Sequence, residues 1–151
     1  MHAYAVEPED HAAIKAGILT EIPRYAVASG PKKVTKLCII GDKDVWHAVQ
    51  KQNQKKTIFS DVEFLDEASP DKKCDIIYTS NQRTARKLIV SMDVPGVILV
   101  STYASFVDEG GLIGLVEKNG LVTLELNLSS AADRKITLSP DLIEISKRVV
   151  Q

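Results

Sequence analysis

Asp42, Ser80, Asn81, Arg83 and Ser101 are spaced as a strand-end ligand crevice would need them. Gly41-Asp42, Ser80-Asn81 and Ser101 each follow an apolar, β-branched run, with Arg83 just beyond the second of these. In an open α/β sheet, the carboxyl ends of parallel strands border a natural crevice. Hydroxyl, amide and carboxylate groups there, joined by one guanidinium, suit a small anion, a nucleotide or an amino acid. The same residue types are what turns and helix N-caps require, and capping explains every one of these positions without a ligand.

The remaining reactive side chains form no active site. His2, His11 and His47 stand at no metal-ligand spacing with one another or with a cysteine, which assigns them to surfaces and helix faces. No Gly-x-Ser-x-Gly elbow occurs. Gly110-Gly111 and Gly114 lack the Lys-Ser/Thr pair of a phosphate loop and read instead as the tight approach to a hairpin. Phosphoryl transfer to the crevice would need an aspartate where Thr79-Ser80 stand. Cys38 lies in an apolar run, where a thiol is inert. With Cys74 it makes no CxxC motif, so the two are either buried thiols or one disulfide. No catalytic residue, metal or cofactor is implied.

The elements that would position these residues follow from periodicity. Residues 7–25 read as a helix, with Pro8 in the first turn, an apolar stripe of Ile14, Ile18, Ile22 and Tyr25, and Pro23 kinking or ending it. Gly30-Pro31 breaks the chain. Residues 35–40 form a first buried strand and 44–52 a helix burying Val45, Trp46 and Val49. Strands follow at 57–65 and, after a Pro70-Asp71 turn, at 74–79. Ser80 or Asn81 then caps a helix whose Ala85, Leu88, Ile89 and Met92 share one face. Arg83, Arg86 and Lys87 lie opposite that face and read as solvated. A fourth strand spans 97–100. Asn119-Gly120 between residues 112–118 and 121–128 signals a type I′ hairpin. Ser139 and Pro140 open a last helix, with Lys147 and Arg148 near its end. Alternating strands and helices followed by a hairpin predict a three-layer α/β domain. Its sheet is mixed, mainly parallel and five- to six-stranded.

The chain has 151 residues, 44% of them hydrophobic and 26% charged, which fits one domain with a real core. A net charge of −1 provides no field for phosphate backbones, so nucleic acid is an improbable partner. No apolar run is long enough to span a bilayer. Ala3-Tyr4-Ala5 fits the small-x-small pattern before a signal cleavage point, so residues 1–5 read as a signal remnant behind a new start methionine or as an ordinary terminus.

Taken in order, the motifs resemble the YfiR family of periplasmic regulators. Lys15-Ala16 matches the early helix, and the run from Cys38 to Gly41-Asp42 matches the first strand. The run from Cys74 to Thr79-Ser80 matches the strand that enters a Ser-capped helix. Val100-Ser101, Phe106, Gly110-Gly111, Leu112-Ile113, Leu126-Asn127, Leu138-Ser139 and Leu142-Ile143 complete a match over residues 12–150. The chain departs from the family in lacking a Trp-Pro pair at the end of the first helix and the extra late cysteines.

The resemblance implies a non-enzymatic periplasmic protein, exported by a signal peptide. It would repress the periplasmic sensor domain of an inner-membrane diguanylate cyclase, lowering cyclic-di-GMP and biofilm formation. By the same analogy, partners include a sensor kinase in place of the cyclase, an outer-membrane lipoprotein antagonist and a second copy of the chain. A Cys38–Cys74 disulfide is implied too, and adjacent parallel strands are able to hold those Cα atoms within bridging distance. A partner-binding protein needs an exposed apolar patch, which the sequence does not locate. The expected contact is the segment with Phe106, Gly110, Gly111 and Leu112, where a Phe beside flexible glycines presents itself. The competing expectation is a sensor of a nucleotide or amino acid, using the crevice and acting on a histidine kinase or other membrane receptor.

Overall fold

The computed structural model describes residues 8–28, 36–69, 72–91 and 94–151. The Ala3-Tyr4-Ala5 start, the Gly30-Pro31 break, the Pro70-Asp71 turn and Met92 lie outside these. The chain begins with α1 (Pro8–Tyr25) and β1 (Ala26–Ala28). It continues through β2 (Lys36–Ile40), α2 (Lys43–Lys55), β3 (Asp61–Leu65), β4 (Ile76–Thr79), α3 (Gln82–Ser91) and β5 (Ile98–Ser101). The last part holds β6 (Ile113–Lys118), β7 (Leu121–Asn127), α4 (Leu128–Asp133), β8 (Ile136–Leu138), α5 (Pro140–Ile145) and β9 (Arg148–Val150).

The main sheet has seven strands in the order β3-β2-β4-β5-β6-β7-β9. Only β6 and β7 pair antiparallel; the other neighbours are parallel. This is the mixed, mainly parallel sheet expected, with more strands than the expected five or six. The crossover from β2 to β3 runs one way along the sheet and that from β4 to β5 the other. Right-handed crossovers therefore put α2 and α3 on opposite faces. Alternation along each strand feeds both. Leu37, Ile39, Ile76 and Tyr78 pack with Val45 and Val49 of α2, whereas Cys38, Ile40 and Ile77 pack with Ala85 and Leu88 of α3.

The first helix follows the sequence-based reading over Pro8–Tyr25, whereas the last helix ends earlier than expected. In α1 the core positions are Ala12, Ala16, Leu19 and Ile22, while Ile14 remains 42% exposed. The helix stops two residues after Pro23, and the chain passes directly into β1, which pairs with β8 as a separate two-stranded ribbon. The last helix ends at Ile145, because residues 148–150 find better partners in the sheet. Lys147 N–H donates to Leu124 O at 2.8 Å, and β9 then pairs with β7. Arg148 is thus a strand residue that pairs with Asp108 and Glu125, and not a cation at a helix end. The Asn119-Gly120 turn is as expected, with φ of 53° and 77°.

Cys38 and Cys74 are joined, with Cα atoms 5.9 Å apart and a sequence separation of 36. Cys74 sits just ahead of β4. There Asp75 N–H donates to Lys36 O at 2.9 Å and Lys36 N–H donates to the Asp75 carboxylate at 2.9 Å, so the pairing with β2 continues past the strand. The disulfide fastens β2 to the approach to β4 at that end. Replacing both cysteines by alanine is expected to lower the unfolding free energy by about 4 kcal/mol, measured by denaturant titration of oxidised protein. Gly111 offers a second check. A Cβ there would lie 2.3 Å from the buried Phe106 ring. Gly111→Ala should cost about 1–3 kcal/mol, and a smaller amount when Phe106 is replaced by leucine, which a double-mutant cycle reads directly.

Candidate partner-binding surface

Parallel register aligns Ile40, Thr79 and Ser101 across β2, β4 and β5, so Asp42, Ser80-Asn81 and Ser101 do meet at one end of the sheet. The side-chain oxygens of Asp42, Asn81 and Ser101 are engaged by the fold itself. One Asp42 carboxylate oxygen accepts Val45 N–H at 3.1 Å and caps α2; the other accepts the Tyr78 hydroxyl at 3.1 Å. Burial, and then the Asp42 carboxylate, push the Tyr78 hydroxyl far above its ordinary range, so it stays a donor. Asn81 accepts Thr84 N–H at 2.9 Å and caps α3. Thr79 Oγ1 donates to Ile40 O at 3.1 Å and accepts Asn81 N–H at 3.2 Å. Ser101 is fully buried and accepts Tyr103 N–H at 3.1 Å. Ser80 and Arg83 remain exposed.

The segment expected to meet a partner is placed differently. Phe106 and Leu112 are both 0% exposed, which corrects the expectation that Phe106 presents itself. Gly111 has no side chain because the Phe106 ring fills that space, so the glycine serves packing and not display. The loop around Phe106 is tied down on both sides. Asn127 caps α4 and donates its amide to Val107 O at 2.7 Å, and Ser130 Oγ donates to Gly110 O at 2.9 Å. Toward α3, Arg86 donates to Glu109 at 3.1 Å and to the Tyr103 hydroxyl at 2.9 Å. The Tyr103 hydroxyl and Arg86 hold the Glu109 carboxyl below its ordinary range. Arg86 is therefore a tether as well as a surface charge.

What stays open lies on the opposite face, along α1. The apolar residues of α1 cover a wider arc than the sheet can bury. Ala12, Ala16 and Leu19 go inward, while Ile14, Ile18 and Tyr25 line a flank beside the sheet. With Ile113 of β6, Leu124 of β7 and Leu142 and Ile145 of α5 they bound an open groove of about 360 Å³. Ile14 and Ile145 are 42% and 65% exposed on its rim. Among the described residues, Glu21 is the one charged residue of its lining. The sequence shows the stripe of Ile14, Ile18, Ile22 and Tyr25 but not which way it faces. The available signal was the second, alanine-rich stripe beside it.

At the N-terminal half of α1, Glu117 of β6 pairs with Lys15, and His11 Nδ1 lies 3.6 Å from the same carboxylate. The Lys15 ammonium is the main cause that keeps the Glu117 carboxyl below its ordinary range, against a smaller opposing effect of burial. A carboxyl lowered in the folded state contributes stability above its unfolded pKa of about 4.3, and that contribution is lost as pH falls through the folded value. Thermal melts of wild type and Glu117→Gln should therefore differ at pH 7 and converge as the pH drops below about 4.

Two solved structures share the fold. A conserved domain protein from Vibrio cholerae O1 biovar El Tor aligns with a TM-score of 0.62 at 14% identity, over 91% of this chain and 60% of that one. The ABC domain from Streptococcus pneumoniae, solved in complex with L-Trp, aligns with a TM-score of 0.60 at 13% identity, over 92% of this chain and 60% of that one. This chain thus spans about 60% of the length of each, and at such identities the likeness concerns the fold. No curated protein matches the sequence. Residues 12–147 match the YfiR/HmsC-like family, nearly the whole span over which the ordered motifs suggested it. The chain belongs to the YfiR/HmsC-like family.

Proposed function

We propose that this chain is a non-enzymatic periplasmic regulator that binds the periplasmic sensor domain of an inner-membrane diguanylate cyclase and holds it inactive. The family match over residues 12–147 carries the proposal, because the family is regulatory in character. Two features of the molecule support it. Two of the polar groups that a ligand would use at the strand ends, the Asp42 carboxylate and the Asn81 amide oxygen, are engaged in capping α2 and α3, and Asp42 also accepts the Tyr78 hydroxyl. The open surface is instead an apolar groove with exposed isoleucines on its rim, the kind of patch that marks a protein contact. No helix among the described residues is long and apolar enough to cross a membrane. An outer-membrane lipoprotein antagonist or a second copy of the chain would compete for such a surface.

A second reading, a sensor of a nucleotide or amino acid acting on a histidine kinase or other receptor, draws on two observations. Asp42, Ser80 and Asn81 sit where the sheet order reverses, and a fold neighbour was solved with L-Trp. A ligand bound only by the native state raises the melting temperature, so a thermal-shift screen separates the readings.

The regulator reading makes a cellular prediction. Deleting the gene should raise cyclic-di-GMP and surface attachment, and wild-type protein should reverse both. The pair Ile14→Asp and Ile145→Asp, on exposed positions that fold does not need, should fail to reverse them while melting like wild type. Unchanged cyclic-di-GMP on deletion would remove the cyclase from the account.

A further inference from the structure

β3 is a margin of the main sheet: among the described residues it pairs with β2 alone. A margin strand offers unpaired N–H and C=O groups to any extended chain that approaches. In a parallel pair, the two backbone groups of a residue point to the same side, and the side alternates along the strand. Leu65 O accepts Gly41 N–H at 2.9 Å, so Leu65, Glu63 and Asp61 face β2. Val62 and Phe64 therefore direct their backbone groups outward.

The Val62 carbonyl nevertheless has partners. Trp46 Nε1–H donates to it at 3.3 Å and the Gln50 amide donates at 3.5 Å. Both side chains come from α2, four residues apart, and so lie one above the other on its flank. Together they occupy both lone pairs of one outward carbonyl. Next to it the Lys43 ammonium stands 5.6 Å from the centre of the Phe64 ring, and the Trp46 ring lies 5.8 Å from the same ring.

We propose that Trp46 and Gln50 form an edge plug that closes β3 to strand addition. The device is distinct from the partner groove, which lies along α1 and α5, and holds whatever that groove binds. Its immediate consequence is that neither a second copy of this chain nor an extended partner segment can lengthen the sheet at β3. The plug is specific in its chemistry: it needs the indole N–H and the amide, not merely bulk at positions 46 and 50.

The test uses the oxidised full chain carrying Trp46→Phe and Gln50→Ala, which keeps an aromatic ring against Phe64 and removes both donors. Mass is measured by light scattering across a concentration series, with circular dichroism to verify the fold. The expected result is a folded variant whose mass shifts upward with concentration relative to wild type. Adding Phe64→Lys, which places a lysine on the margin strand, should return the mass to the wild-type value. A folded double variant that matches wild type at every concentration overturns the proposal, as does association that Phe64→Lys leaves in place. Gln50→Ala alone retains the indole and is measured in parallel; if the double variant does not fold, a mass shift in this single variant, reversed by Phe64→Lys, decides the question in the same way.

Discussion

The seating of β4 directly beside β2 is the contact on which the rest of the molecule depends. β3 leaves β2 on one side and β4 joins it on the other, so the order of the sheet reverses between them. That reversal sends α2 and α3 to opposite faces and creates two apolar layers from strands whose side chains alternate. The disulfide, the Asp75 exchange with Lys36 and the Thr79 bond to Ile40 O hold this one pairing at both ends. Among the described residues, the connection between β3 and β4 contains no helix to guide it, and the covalent bond supplies the constraint that a packed helix would otherwise give.

The strand ends and the α1 face of the sheet then have different uses. At the carboxyl ends, acids, amides and hydroxyls are turned inward to cap α2 and α3 and to fix Tyr78. Such groups give rigidity and leave few acceptors for a ligand. Beside α1 the balance is reversed. The helix carries more apolar surface than its docking against the sheet can remove from water, and α5 adds Ile145 to the same side. An apolar flank exposed on one side of a well-capped domain suits a protein that works by being bound.

Much of this was legible in the sequence because it is local. Apolar β-branched runs marked β2, β4 and β5, Asn119-Gly120 marked the hairpin, and Ser139-Pro140 marked the start of α5. What escaped depends on distant partners. Residues 148–150 look like the tail of a helix until β7 offers its outer side. β1 and β8 are three residues each, and neither reads as a strand without the other. The short helix α4 carried a signal, since Asn127 stands where an N-cap belongs. The burial of Phe106 did not, because its cover is the absence of a side chain at Gly111. At the candidate surface, the stripe of Ile14, Ile18, Ile22 and Tyr25 was visible, but its position relative to the sheet was not.

The central claim is that the groove between α1 and α5 is where a membrane signalling partner binds. The most direct measurement places a photo-crosslinking residue at Ile145, in the groove, and separately at Val90, which is 82% exposed on the opposite face. Adducts formed in intact cells are identified by mass spectrometry. The account predicts that position 145 captures the periplasmic sensor domain of a cyclase or kinase and that position 90 does not. Capture of that domain from position 90 alone, or of no such domain from either position, would contradict it.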